Sequence, residues 1–151
     1  MATPRYAGFW IRSTANLLDS LLITLVSWVL ELAILGLLWI VLRTGDSMWE
    51  IMSPLAIQGL NVFLYAALAV PYYSLCHLRW GATPSKRWLG IRVISEDGAR
   101  ELTPKQAWGR TFAYLVSYLP LGLGFVWAAF NPKKKAFHDI LAETVSVRVA
   151  R

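Results

Sequence analysis

Residues 111–130, TFAYLVSYLPLGLGFVWAAF, are the stretch on which the fold turns. The run is apolar enough to enter a bilayer, yet Pro120, Gly122 and Gly124 fall in its middle. Proline lacks a backbone N–H and glycine is a poor helix former, so a straight helix through this point is disfavoured. Two readings stay open: one bent crossing, or two short helices that turn back at membrane depth. Irregular backbone at that depth is tolerated only when buried in protein or facing a polar cavity. Thr103 followed by Pro104 is a cap and a first-turn proline, which predicts a helix start near residue 104.

Two longer apolar blocks precede it. Residues 17–42, LLDSLLITLVSWVLELAILGLLWIVL, are long enough as a helix to cross a hydrocarbon core of about 30 Å. Residues 55–78, LAIQGLNVFLYAALAVPYYSLCHL, make a second span with a kink expected near Pro71. Only twelve residues, 43–54, lie between them, enough for a tight turnaround. The first block is far longer than the apolar core of a cleavable signal and no small-residue cleavage site follows, so it is expected to remain in the membrane.

Composition agrees. The 151 residues are 56% hydrophobic and 16% charged, with eight tryptophans, and the mean hydropathy is +0.46. That suits a single domain with lipid as its solvent. Cys76 is the lone cysteine, which excludes a disulfide framework and a multi-cysteine metal site. The net charge of +6 sits beside apolar blocks, where membrane orientation explains it better than nucleic acid does. Trp10, Trp80, Trp88 and Trp108 form one expected interfacial belt and Trp39 and Trp49 the other, leaving Trp28 and Trp127 deep.

Charge distribution bears on the broken block. Two Lys/Arg precede the first span, seven lie in 79–110, five in the tail and one, Arg43, in 43–54. Lys and Arg favour the cytoplasmic side. A single third crossing would leave nine inside and six outside, whereas a block that turns back leaves fourteen inside and one outside. The second arrangement fits better. The alternation Leu89, Ile91, Val93 ahead of Asp97-Gly98 reads as a hairpin, and Val145, Val147 and Val149 alternate in the tail. Short strands gain most by sharing one sheet, which requires them on the same side.

Polar residues mark the spans. Asn16, Ser20, Thr24, Ser27 and Glu31 recur at spacings of four, four, three and four, an arc of about 80° on a helix, with Asp19 at its edge. In the second span Gln58, Asn61, Tyr65 and Tyr72 follow a similar rhythm, and antiparallel spans would bring Glu31 near Asn61 and Tyr65. A mid-bilayer carboxylate costs about 2.5 kcal/mol or more unless neutralised or paired. Glu31 is therefore either a structural hydrogen-bonding group or part of a proton or cation path with Asn61, Tyr65, Thr24 and Ser27.

The segment that follows, KKKAFHDILAETVSV (133–147), admits a catalytic dyad, a metal site or a membrane-edge anchor. His138 and Asp139 supply two ligands where such sites need three or four, and His77 is the only other histidine. GATPSK (81–86) lacks the glycine before lysine and the hydroxyl residue after it that a phosphate loop requires. No catalytic residue, metal site or cofactor is expected, and an enzyme is the class with least support.

Three ordered blocks, YAGFWIRSTANLLDSLL (6–22), GATPSKRWLGIRVI (81–94) and PLGLGFVWAAFNPKKKAFHDILAETVSV (120–147), resemble the RDD family of small membrane proteins. Ser85 departs from the family's usual glycine. The arginine and two aspartates that name the family match Arg12, Asp19 and Asp139. The resemblance implies a membrane protein linked to transport, with cation/proton exchange in some members and scaffolding in others. It also implies that Arg12, Asp19 and Asp139 form one interfacial charge cluster tying the tail to the first helix. A charge swap of Arg12 and Asp139 is then expected to restore folding lost in either single variant. Lys133, Lys134 and Lys135 are expected to anchor the tail to anionic headgroups, with Phe137, Ile140 and Leu141 dipping into the interface.

The expectation is an all-α integral membrane protein: a bundle of two full spans plus a broken third apolar segment, with a small cytoplasmic β element. One domain, 1–151, holds spans at about 17–42, 55–78 and 104–131, a cytoplasmic loop 79–103 and a cytoplasmic tail 132–151. The expected location is the inner (plasma) membrane, with both termini cytoplasmic. Expected partners are the lipid bilayer, further copies of the chain or another membrane protein, and a monovalent cation or proton, with no nucleic acid.

Overall fold

The computed structural model describes residues 5–42, 53–99, 101–118 and 123–149. Its helices are α1 (Phe9–Leu42), α2 (Pro54–Trp80), α3 (Pro84–Trp88), α4 (Pro104–Tyr118), α5 (Leu123–Phe130) and α6 (Phe137–Leu141); its strands are β1 (Ile91–Ser95) and β2 (Thr144–Arg148). The chain divides into two compact units, Met1–Asp19 with Val70–Arg151, and Ser20–Ala69.

Two helices, Phe9–Val41 and Pro54–Trp80, are long and apolar enough to cross a membrane. The 34 residues of α1 give a rod of about 50 Å, against a core of about 30 Å, so the helix reaches beyond the hydrocarbon. Helix α2 continues through Pro71. Residues 43–52, and with them the turnaround and Trp49, lie outside the described residues.

In the unit Ser20–Ala69, most side chains face outward, among them Leu32, Leu55 and Phe63. Buried positions on α1 as a whole follow Arg12, Ala15, Asp19, Ile23, Ser27 and Glu31. Asn16, Ser20 and Thr24, expected at the centre of the polar stripe, are only half-buried, whereas Asp19, expected at its edge, is fully enclosed. Helices pack along their i±4 ridges, so the buried line follows that row and not the mean direction of the polar side chains.

The other unit holds the sheet. Strands β1 and β2 pair antiparallel from Ile91↔Arg148 to Ser95↔Thr144. Tyr6 bridges Val147 on the opposite edge of β2, with Ala7 N–H donating to Ser146 (2.9 Å) and Arg148 N–H to Arg5 (2.8 Å). The expected local hairpin is replaced by this long-range pairing. The Asp97-Gly98 turn forms, with Ala99 N–H on Asp97 Oδ1 at 2.9 Å, but the chain then enters α4. A reciprocal cap starts that helix: Gln106 N–H donates to Thr103 Oγ1 (3.2 Å) and Thr103 N–H to Gln106 Oε1 (3.1 Å). Ile91 packs with Ala7 and Ala15, flanked by Ile11 and Leu89, so the N-terminal turn of α1 rests on β1.

The broken apolar block is two helices, α4 and α5, packed on each other; Pro120–Gly122 lie outside the described residues. Gly124 permits the approach, since a Cβ there would stand 2.6 Å from Ser117 Cα. Tyr114 and Phe125 stack with ring centroids 5.9 Å apart.

Candidate functional site

Asp139 occupies the first turn of α6, where its Oδ2 accepts the Ala136 N–H at 2.8 Å. This contact satisfies the N–H of Ala136 itself, the half of a capping box that the third helical residue supplies; Ala136 has no side-chain oxygen to supply the other half. Arg12 donates to the same oxygen and Arg110 to Oδ1, so one carboxylate joins two guanidinium groups. The Asp139 and Arg110 side chains are fully buried and that of Arg12 is nearly so. The second guanidinium nitrogen of Arg12 donates to Lys134 O at 2.5 Å, and Arg110 donates to Thr144 Oγ1 at 2.6 Å. The N-terminal turn of α1, α4, α6 and the first residue of β2 thus meet at one acid.

The electrostatics follow from this geometry. Burial pushes the Asp139 carboxyl up, but Arg110 and then Arg12 outweigh it and hold the group well below the usual carboxylate range. His138 is pushed well down, first by burial; Asp139 favours its charged form, and Arg110 and Arg12 oppose it. A neutral ring makes its 3.7 Å approach to Asp139 a dipolar contact and not an ion pair. Ser117 Oγ lies 3.0 Å from His138 Nδ1 and accepts the His138 N–H at 3.1 Å, while Tyr114 and Phe125 enclose the ring. His138-Asp139 is therefore a structural pair with a saturated acid.

Asp19 belongs to a separate set, contrary to the single three-residue cluster. Tyr72 donates to Asp19 Oδ1 at 2.8 Å and Thr83 to Oδ2 at 2.5 Å. Asp19 lies seven residues beyond Arg12, about 10 Å along the helix axis, too far to share its fork. Thr83 also caps α3, accepting the Lys86 N–H, and Ser85 lies within that helix. Lys86 is buried between Tyr114 Oη (3.2 Å) and His77 Nε2 (3.4 Å), and burial lowers its pKa. Tyr114 links the two sets, with Lys86 and Arg110 about 6 Å from its ring centroid, at 5.9 and 6.0 Å.

Each lysine of the triplet has a partner within the protein. Lys133 and Lys135 pair with Glu96 at 3.0 and 2.5 Å, and Lys134 Nζ donates to Ala129 O at 2.9 Å. Lys135 is largely buried. The alternation that forms β1 brings Glu96 to the tail, which the triplet's charge alone does not reveal. Ile140 and Leu141 are exposed, and Phe137 is half-buried.

In the unit Ser20–Ala69, Glu31 Oε2 accepts from Asn61 Nδ2 at 2.8 Å. Glu31 Oε1 is buried without a partner among the described residues. Ser27 donates to Thr24 O at 2.9 Å, and Tyr65 makes no hydrogen bond to Glu31. No group of three His, Cys, Asp or Glu among the described residues is placed to hold a metal.

The RDD family profile matches residues 6–143. The chain belongs to the RDD family. Its similarity extends to three proteins of Bacillus subtilis (strain 168). "Uncharacterized protein YxaI" is 30% identical, over 91% of this chain and 94% of its own length. "Uncharacterized membrane protein YteJ" is 30% identical, over 97% and 84% respectively. "Uncharacterized protein YckC" is 28% identical, over 91% and 82%. No solved structure matches the chain. Family membership, a relative named as a membrane protein and two apolar helices of spanning length make this RDD chain a membrane protein. Arg110 completes its charge cluster. Its only sequence signal is a cation immediately before an apolar block, which charge counting had treated as topological.

Proposed function

We propose that this RDD protein is a cation/proton-coupled transport protein of the inner (plasma) membrane, acting as several copies or with a membrane partner. The observation carrying the reading is Glu31: a buried carboxylate on a spanning helix, with one oxygen held by Asn61 and the other open. Intramembrane acids of this kind mark ion or proton paths by default. Thr24, Ser27, Asn61 and Tyr65 supply further oxygen or nitrogen groups on the same two helices. Two long helices enclose little interior, which is why more than one copy is invoked. Hydrogen bonds joining Arg5 and Ala7 to the tail support both termini on one face, and the excess of Lys and Arg there supports the cytoplasmic one. No catalytic step is part of this reading.

The test is reconstitution into proteoliposomes with an imposed pH gradient. Added Na⁺ or K⁺ dissipates the gradient for the native chain, and Glu31→Gln abolishes the effect. A second reading, a non-transporting scaffold for a larger membrane complex, is favoured by the broad exposed apolar surface of the spans, such as Leu32 and Leu55. In that case the gradient is indifferent to the protein and to Glu31→Gln alike.

A further inference from the structure

Three of the cations without an acidic partner among the described residues gather elsewhere. Arg79 in the last turn of α2, Arg87 in α3 and Arg92 in β1 line one cleft of roughly 360 Å³, with Trp80 at its wall. No acidic residue lines it, and none of the three arginines forms an ion pair among the described residues. Arg92 Nε is buried without a hydrogen-bond partner among those residues.

Local structure builds this convergence. Gly81 adopts φ +64°, and a Cβ there would stand 2.9 Å from Val93 O and 3.2 Å from Arg92 Nε. Glycine thus lets the end of α2 close onto β1, where Val93 N–H donates to Gly81 O at 2.7 Å. Along β1, Ile91, Val93 and Ser95 are the buried alternates, which directs Arg92 away from the core. Arg87 lies over the Trp80 ring at 5.8 Å, a stacking that holds its fork in place.

We infer that this cleft binds a phosphoryl oxyanion, with Arg79, Arg87 and Arg92 as its ligands. Planar guanidinium forks match phosphate geometry, and three of them around one space without an acid leave an anion as the complement. The cleft falls within the about 300–1,000 Å³ range of small-molecule sites, with room for an esterified phosphate. Exposed Trp80 lines it, and exposed Trp88 follows Arg87 in the chain; tryptophan favours the headgroup level of a bilayer. An anionic phospholipid headgroup and a free phosphate share this chemistry. The site is separate from Lys133, Lys134 and Lys135, whose contacts are made within the protein.

The experiment uses the full chain in neutral detergent micelles and follows thermal stability during titration with phosphatidylglycerol, phosphatidylcholine or inorganic phosphate at constant ionic strength. Phosphatidylglycerol raises Tm and phosphatidylcholine does not. The variant R79Q/R87Q/R92Q needs about tenfold more anion or worse, since each lost charge-assisted bond is worth at least that factor. K133Q/K135Q responds as the native chain does. Should the triple variant fold poorly, Arg87→Gln alone, at an exposed position, and Arg92→Lys, which keeps charge but loses the fork, each weaken the response. Arginine-dependent binding of inorganic phosphate alone supports the site with a soluble anion as its source. No response to either anion, or an unchanged response in the arginine variants, overturns the proposal.

Discussion

The two units of the molecule treat their buried acids differently. In the unit formed by Met1–Asp19 and Val70–Arg151, each fully buried acid has several donors: Asp139 takes Arg12, Arg110 and the Ala136 amide, and Asp19 takes Tyr72 and Thr83. In Ser20–Ala69, Glu31 has one side-chain donor and an open oxygen, among helices whose apolar residues face outward. Close approach is confined to particular glycines: a Cβ at Gly124 or Gly81 in the first unit would collide with backbone, whereas Gly36 and Gly59 in the second, like Gly8, Gly98 and Gly109 in the first, have nothing within 4 Å. In the first unit the buried acids are fully engaged, although Arg110 Nε and Nη2 are buried without hydrogen-bond partners among the described residues; in the second, the buried acid keeps one oxygen open.

The sharpest way to break this contrast is Asp139→Asn, which strands two buried guanidinium groups. Removing one partner of a buried ion pair costs about 3–5 kcal/mol, so the folded fraction after detergent extraction should collapse. Glu31→Gln, which can keep its bond to Asn61, should leave that fraction close to native. The swap R12D/D139R should fail to rescue, reversing the expectation from a simple pair, because Arg110 would then face an introduced cation. Gly124→Ala comes next, costing about 1–3 kcal/mol through overpacking against Ser117, read as a fall in Tm. Gly59→Ala should instead be neutral or raise stability by up to about 1 kcal/mol.

Acidification sharpens the contrast more finely. The folded-state pKa of His138 is depressed, so unfolded chain binds a proton that folded chain refuses. Its stabilisation is present above about pH 6.5 and declines as pH falls below that value, by at most about 1.4 kcal/mol per unit. Tm measured from pH 7.5 to 5 should drop, and His138→Asn should shallow the slope. Asp139 adds almost nothing in this window: its stabilisation is lost only as pH falls to the unfolded carboxyl's pKa of about 3.9 and on below it, toward the depressed folded value. The smallest effect belongs to Lys133→Gln. Its side chain is 54% exposed and Glu96 retains Lys135, so Tm should stay close to native.

Local chemistry was legible and long-range geometry only in part. The break at Pro120–Gly124 was legible because helix breakers act locally, although the breakers alone left a bent crossing and two short helices both open. The pairing of β1 with the tail followed from two alternating segments that are marginal alone. The Asp97-Gly98 turn is present, but no return strand follows it among the described residues; Thr103 and Gln106 cap the helix whose start Thr103-Pro104 predicts. Arg12 and Asp139 were brought together through the family resemblance. Arg110, Lys86 and Thr83 were not, since a cation or hydroxyl carries no mark of the residue it will meet across 29, 28 or 64 positions of chain. Asp19 was assigned to the wrong partners for the same reason.

The meeting of the N-terminal segment with the tail can be tested in native membranes. Tyr6 and Val147 face each other as the non-hydrogen-bonded pair of an antiparallel bridge, flanked by Ala7 N–H to Ser146 O and Arg148 N–H to Arg5 O. Such pairs have Cα atoms about 4.5 Å apart, within disulfide reach. With Cys76 replaced by alanine, the double variant Y6C/V147C should form an intramolecular disulfide on mild oxidation, seen as a faster-migrating monomer that reverts on reduction. A chain that stays uncrosslinked, with its two thiols labelled from opposite sides of the bilayer, would contradict the fold and the charge cluster together.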